Sequence, residues 1–232
     1  MKRTCKRNKS KRVFNGRDKC VYTSKNKTYS GTYDGQFKNG KYDGNGKYVW
    51  KNDGATYVGN WKDSKFNGKG VYETADGTVM SGTWKKHKMN GPGKRTFLIK
   101  TAKSKPFRQV ETAMYKNDKA NGKCNFVYQN GTFDGQCKNN RKTFGAYKYK
   151  NGNTIIGNWK NNNPHGKSKI QYKTGSVYEG RTQNSNPNGR GTMRRKDGTI
   201  LSGVWKNSSL NGKCKIENEN GEIYNGYCKP NG

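Results

Sequence analysis

The chain has 232 residues, of which 28% are hydrophobic, and a formal net charge of +33. So little apolar material excludes a domain wrapped around one thick core, and no run of about 18 apolar residues exists to cross a membrane as a helix. The opening residues, MKRTCKRNKSKRVFNG, are basic but lack the apolar centre of a secretory leader.

Residues 1–32 read as a basic N-terminal arm with a degenerate hairpin, carrying nine basic residues in its first nineteen. Such an arm suits anchoring on an acidic surface. Cys5 and Cys20 fall here without a clear pairing register, so their redox state stays open. The tripeptides NKT at Asn26 and NGT at Asn130 match glycosylation sequons, as chance allows in so Asn-rich a chain.

From Tyr33 a unit recurs: a Y-x-G-x-W strand, a loop with G-x-G, a second strand and a turn. The clearest copies are YDGQFKNGKYDGNGKYVWKNDGAT from Tyr33 and YVGNWKDSKFNGKGVYETADGT from Tyr57. Degenerate copies start near Met80, Glu111, Phe133, Ile155, Tyr178, Leu201 and Tyr224. Steps are 22 to 24 residues, except 31 between Met80 and Glu111, where FLIKTAKSKPFRQ (about 97–110) reads as an inserted loop. A fixed period of this size means stacked supersecondary units. With two strands per unit at roughly 4.8 Å spacing, nine copies would span about 80–90 Å.

The segment NGKCNFVYQNGTFDGQCKNN (residues 121–140) shows what each unit does. Asn-Gly between two half-apolar runs signals a tight hairpin. A loop at Asn130-Gly131 sets Phe126 opposite Gly135 and Cys124 opposite Cys137, on a narrow pair with Cα atoms roughly 4.5 Å apart. That spacing is within reach of a disulfide. The same folding sets Tyr48 against Gly59 and Tyr72 against Gly82, and then Gly46 against Trp61, Gly70 against Trp84 and Gly191 against Trp205. Where the tryptophan is missing the facing glycine is missing too, as in Cys124/Cys137, Cys214/Cys228 and Ser168/Thr182. Two disulfides, Cys124–Cys137 and Cys214–Cys228, are expected, the alternative being reduced thiols that fill the gap. Without a C-x-x-C or a histidine cluster, no metal site is expected.

The recurring tyrosine, glycine and tryptophan at alternate positions, followed by G-x-G, resemble the MORN (membrane occupation and recognition nexus) repeat over about residues 33–232. The resemblance implies an all-β fold, an elongated single-layer array of antiparallel β-hairpins. It also implies a scaffold or membrane-associating role without chemistry of its own. Copies depart from the pattern at Glu111, Ala113 and Tyr115, and at Thr182 in place of tryptophan. Proteins of this kind also occur in large DNA viruses.

Charge is the unusual feature. Lysine follows the tryptophan position at Lys38, Lys62, Lys85, Lys116, Lys138, Lys160, Lys206 and Lys229, on the face opposite the aromatics. A second basic column follows the loop glycine at Lys69, Lys123, Lys167, Arg190 and Lys213. The motif position where acids are common holds Val58, Ser81, Thr112, Ile156, Ser202 and Asn225, so the columns stand uncancelled. They are candidate anion-binding residues, with the strong salt dependence of counterion release. Lysine outnumbers arginine, which favours point-charge contacts over bidentate recognition.

Nothing assembles into a catalytic site. His87 and His165 lie in separate copies, and the G-x-G elements lack the following helix of a phosphate loop. The expectation is a non-enzymatic structural scaffold, a basic strut with no cofactor and no small-molecule substrate. Its partners would be other proteins of an assembly or an anionic surface: an acidic protein, an anionic lipid, or nucleic acid without sequence specificity. A virion or intracellular assembly reconciles stapled hairpins with the absence of a leader. The alternatives are a peripheral cytoskeletal scaffold at the cytoplasmic face of a membrane and a non-specific nucleic-acid packaging protein.

Overall fold

The computed structural model describes residues 2–6, 14–23, 30–101 and 104–230; the basic stretch 7–13 and the tripeptide at Asn26 lie outside them. The described chain is all-β and antiparallel, and divides into two compact units, Met1–Ala120 and Asn121–Gly232. The first holds β1 (Lys2–Cys5), β2 (Gly16–Thr23), β3 (Gly31–Lys38), β4 (Lys41–Trp50), β5 (Thr56–Lys62), β6 (Lys65–Glu73), β7 (Val79–Lys85), β8 (Lys88–Thr101) and β9 (Ser104–Lys116). The second is entered by β10 (Lys119–Tyr128). It continues with β11 (Gly131–Lys138), β12 (Arg141–Tyr149), β13 (Thr154–Lys160), β14 (Asn163–Gln171), β15 (Val177–Gln183), β16 (Asn186–Arg194), β17 (Ile200–Lys206), β18 (Ser209–Glu217) and β19 (Ile223–Cys228). Within each unit every strand pairs with the one before it in sequence.

The tightest connections are two-residue loops with both residues at positive φ, the type I′ geometry that matches strand twist. They fall at Asn39-Gly40, Asp63-Ser64, Lys86-His87, Asn117-Asp118, Asn139-Asn140, Asn161-Asn162, Asn184-Ser185 and Asn207-Ser208. Asn, Asp and Ser dominate because their short polar side chains tolerate the left-handed region. The second turn residue also clamps the preceding hairpin. Ser64 N–H donates to the Tyr42 carbonyl (2.9 Å), and its hydroxyl accepts from the Tyr42 N–H (3.1 Å). His87 and Phe66 make the same exchange through imidazole Nδ1 (3.2 and 3.4 Å), and Asp118 and Met89 through a carboxylate oxygen (3.0 and 2.7 Å).

Across the strands runs a row of glycines, each facing the next. In the first unit these are Gly35, Gly46, Gly59, Gly70, Gly82 and Gly93. In the second the row is Gly135, Gly145, Gly157, Ser168, Gly180, Gly191, Gly203, Cys214 and Gly226. The motif tyrosines Tyr33, Tyr57 and Tyr178, each 0% exposed, lie over paired members of the row. Their hydroxyls donate to the carbonyls of Gln36, Asn60 and Arg181 at 2.9, 3.0 and 2.8 Å. Those three residues sit where a β-bulge shifts the register, between Gly35/Phe37, Gly59/Trp61 and Gly180/Thr182. A bulge takes a residue out of the ladder, and the tyrosine supplies a partner for its carbonyl. Burial pushes the hydroxyls up, Tyr178 to about 12, so they remain donors. Each motif tryptophan bonds the same row: indole Nε1 of Trp61, Trp84, Trp159 and Trp205 donates to the carbonyl of Gly46, Gly70, Gly145 and Gly191 at 3.1, 3.0, 3.2 and 2.9 Å.

Three expectations need correction. The register is displaced by two residues: Tyr48 faces Tyr57, Tyr72 faces Met80, glycine faces glycine, and Cys124 faces Gly135 while Cys137 faces Gly122. The cause is loop chemistry. The loop after β10 is Gln129-Asn130, and Gly131 starts β11, because a Cβ there would strike the Tyr147 ring and the Lys148 carbonyl. Elsewhere a left-handed glycine, such as Gly77 or Gly152, closes a three-residue loop instead of occupying its centre. Because the offset is even, these side chains keep their faces. The G-x-G elements lie within the second strand of each hairpin, not in a loop. The described residues of the insertion about 97–110 are paired strand, with Phe97 facing Gln109 and Ile99 facing Phe107.

Replacing Gly70 by alanine would drive a methyl group into the Tyr57 hydroxyl and ring. Such overpacking costs roughly 1–3 kcal/mol. The urea midpoint of Gly70→Ala should fall accordingly; an unchanged midpoint would show that the ring does not cover this glycine.

Candidate anion-binding face

Alternation along each strand puts the aromatic column on one face and the cations on the other. In β5, Tyr57 and Trp61 are buried while Val58 and Lys62 are exposed. Lys38, Lys62, Lys85, Lys116, Lys138, Lys160, Lys206 and Lys229 are all exposed, as are Lys69, Lys123, Lys167, Arg190 and Lys213. The first column gathers at the type I′ turns, where Lys38 faces Lys41, Lys62 faces Lys65, Lys85 faces Lys88 and Lys138 faces Arg141. Like charges directly opposite each other oppose folding, so these pairs are not there for stability. Among the described residues none of the thirteen cations forms an ion pair; the pairs found, such as Lys41–Asp63 at 3.1 Å and Lys169–Glu179 at 2.8 Å, use other lysines and arginines. Lys169 also holds the Glu179 carboxyl below the usual carboxylate range.

Three members of the second column meet in the second unit. Over the glycine row the cation face forms two open depressions of about 820 and 550 Å³ that share Glu179, Gly180 and Arg190. Lys167, Lys169, Arg181, Arg190 and Lys213 line them, with the exposed side chains of Phe144 (53%), Val204 (39%) and Tyr227 (68%). Without side chains at Gly157, Gly180, Gly191 and Gly203 the floor is bare backbone. The remaining column members do not join this groove.

The two expected cysteine pairs come together despite the shifted register, and a third forms where none was expected. Cys124 and Cys137 sit diagonally with sulfurs 1.99 Å apart, Cys214 and Cys228 likewise at 1.96 Å, and Cys5 directly faces Cys20 at 2.04 Å. With Asp18, Cys5 and Cys20 also bring three potential metal-ligand atoms within 4.8 Å, a set that would compete with the disulfide for the same sulfurs. Ser168 and Thr182 occupy the corresponding positions in another repeat, their hydroxyls 2.9 Å apart.

Sequence reasoning missed Lys142. It is 7% exposed on the aromatic face, in the strand slot that holds Phe66, Met89, Pro164 and Pro187 in other hairpins. Counting two residues in from each Asn-rich turn would have revealed a lysine in an apolar column.

This arrangement defines a β-hairpin repeat protein of the scaffold or interaction type. The chain belongs to the MORN-repeat family, whose model matches residues 33–55, 57–79, 81–97, 113–133, 156–177 and 178–200, more than half of the sequence. No curated protein matches it significantly. Among solved structures it is similar to the SAS-4 (dCPAP) TCP domain in complex with a proline-rich motif of Ana2 (dSTIL) of Drosophila melanogaster. The likeness has a TM-score of 0.43 and 15% identity over 69% of this chain and 84% of that chain, too slight to carry an inference.

Two outcomes follow from this geometry. Intact mass after blocking thiols without reductant should show no blocked cysteine among the six; six blocked cysteines would mean packed thiols. Reduction should cost about 3 kcal/mol for each closed loop. Burial, then the charge of Lys65, holds the His87 imidazole below its ordinary value of 6.5. The folded state therefore disfavours the proton, in keeping with Nδ1 accepting the Phe66 N–H. The contribution is full above the unfolded value and is lost as pH falls through the lower folded one. Compared with His87→Asn, the wild-type melting temperature should drop more between pH 8 and pH 5; parallel curves would remove this role.

Proposed function

We propose that the protein is a non-enzymatic scaffold that docks, through its cation face, onto acidic protein partners within a larger assembly. The observation that carries this is the set of thirteen exposed cations with no ion pair among the described residues, several facing like charges. Such a face releases counterions on meeting a polyanion. Phe144, Val204 and Tyr227 among the groove cations favour a protein partner over a bare polyanion, since aromatic and apolar anchors supply contact energy that charge alone does not. Three cysteine pairs at bonding distance support an oxidising place of action, of which a virus particle is one kind. Lipid and nucleic acid remain the competing surfaces.

Charge reversal of Lys62, Lys138 and Lys206 together tests the reading. Binding to polyglutamate should weaken at least tenfold at low salt, and wild-type binding should fall steeply as salt rises toward 0.2 M, a concentration of roughly physiological screening. Salt-insensitive binding, or a triple variant that binds as wild type, would move docking to the aromatic face. Tighter binding to phosphatidylserine vesicles or duplex DNA than to polyglutamate would select those partners instead.

A further inference from the structure

On the opposite face, in the second unit, Lys142 points its ammonium into four rings. Nζ lies 4.6 Å from the centroid of Tyr128, 5.0 Å from Trp159, 5.1 Å from Phe133 and 5.3 Å from Tyr147. A desolvated cation survives in such a cage because the ring faces supply negative potential. For filling a strand slot this is a costly choice, since methionine or proline does the same task in neighbouring hairpins.

The caged lysine also lines an open surface pocket of about 360 Å³, at the lower end of the range for small-molecule sites. Its wall has an aromatic side, from Tyr147 and Trp159, and a polar side. Asn130 accepts from the Tyr147 hydroxyl, and Asn162 Oδ1 accepts from the Lys142 N–H at 3.0 Å. With their oxygens so engaged, both carboxamides keep NH₂ groups, which only donate. Ser185 adds a hydroxyl, held 3.3 Å from that of Tyr149. No residue lining the pocket carries a carboxylate.

We propose that this pocket binds a small organic carboxylate with a ring-sized apolar face, of the acidic-monosaccharide class. The carboxylate meets Lys142 and the amide donors, and the ring face lies on Tyr147 and Trp159. The site is independent of the cation face, and its occupant is a ligand that undergoes no reaction there.

The test is calorimetric titration of the oxidised full chain with glucuronate and with glucose. Glucuronate should bind saturably and about tenfold or more tighter than glucose, the factor a charge-assisted hydrogen bond supplies. Lys142→Met, which copies Met89 at the corresponding slot of another hairpin, should lose that preference, while Lys138→Gln on the opposite face should keep it. Should Lys142→Met fail to fold, Asn130→Asp answers the same question: it preserves the acceptor for Tyr147 but adds a carboxylate to the wall, and glucuronate binding should vanish. Equal binding of the two sugars, no saturable binding, or retention of the preference by the Lys142→Met or Asn130→Asp variant would overturn the proposal.

Discussion

The close approach of backbone at the glycine row is the constraint on which the rest depends. Facing glycines let a tyrosine ring lie flat over two strands, and from there its hydroxyl reaches the bulge carbonyl three residues on. The bulge in turn lets the tryptophan indole reach back to a glycine carbonyl of the preceding strand. Beneath Tyr33, Tyr57 or Tyr178 a side chain in the row would lift the ring, and with it the hydroxyl. Most buried apolar contact in each hairpin is organised by residues that contribute no contact themselves. This explains how a chain with 28% hydrophobic residues folds: each repeat needs one tyrosine-type and one tryptophan-type side chain, seated on bare backbone.

Three chemistries brace the position between the tryptophan column and the row. Indole bonds a glycine carbonyl in four hairpins, a cysteine pair spans the same diagonal in two, and a serine–threonine hydroxyl pair spans it in one. Their magnitudes are comparable where known. Truncating a buried tryptophan costs about 3–5 kcal/mol, and removing a disulfide over a loop of this length costs about 3. A repeat that gives up its indole for a disulfide therefore loses little stability under oxidising conditions, and loses it all when reduced. Cys5–Cys20 differs, because Cys20 faces Tyr33 and belongs to the tyrosine column, with buried Asp18 at the row position opposite Gly35.

Hairpin content, period and the separation of aromatic from basic face were legible because they depend on alternation, which survives an even register error. The register itself was not. Asn130-Gly131 was read as a turn, yet its glycine answers to a ring on the next strand, a non-local cause that no two-residue signal carries. One type I′ turn was hidden for a related reason: Lys86-His87 has no turn propensity, and is held left-handed by exchange with Phe66. The cation columns could be counted in the sequence, but the groove that gathers Lys167, Arg190 and Lys213 depends on how the glycine row exposes its floor. Lys142 escaped because lysine in so basic a chain reads as surface, and only burial separates it from the others.

Placement of charge follows from the same geometry. The row leaves one face open and shallow, so side chains on it cannot bury their charges against one another, and lysines facing each other across a two-residue turn stay solvated and repelling. Exposed like-charge pairs cost only tenths of a kcal/mol each, because water screens them. The fold therefore tolerates a cation column that a thick-cored domain would not, and the cost disappears on contact with an acidic surface. Lys142 marks the other limit: turned inward, the same side chain sits with four aromatic rings around its ammonium. A lysine is thus inexpensive on one face of this sheet and demanding on the other.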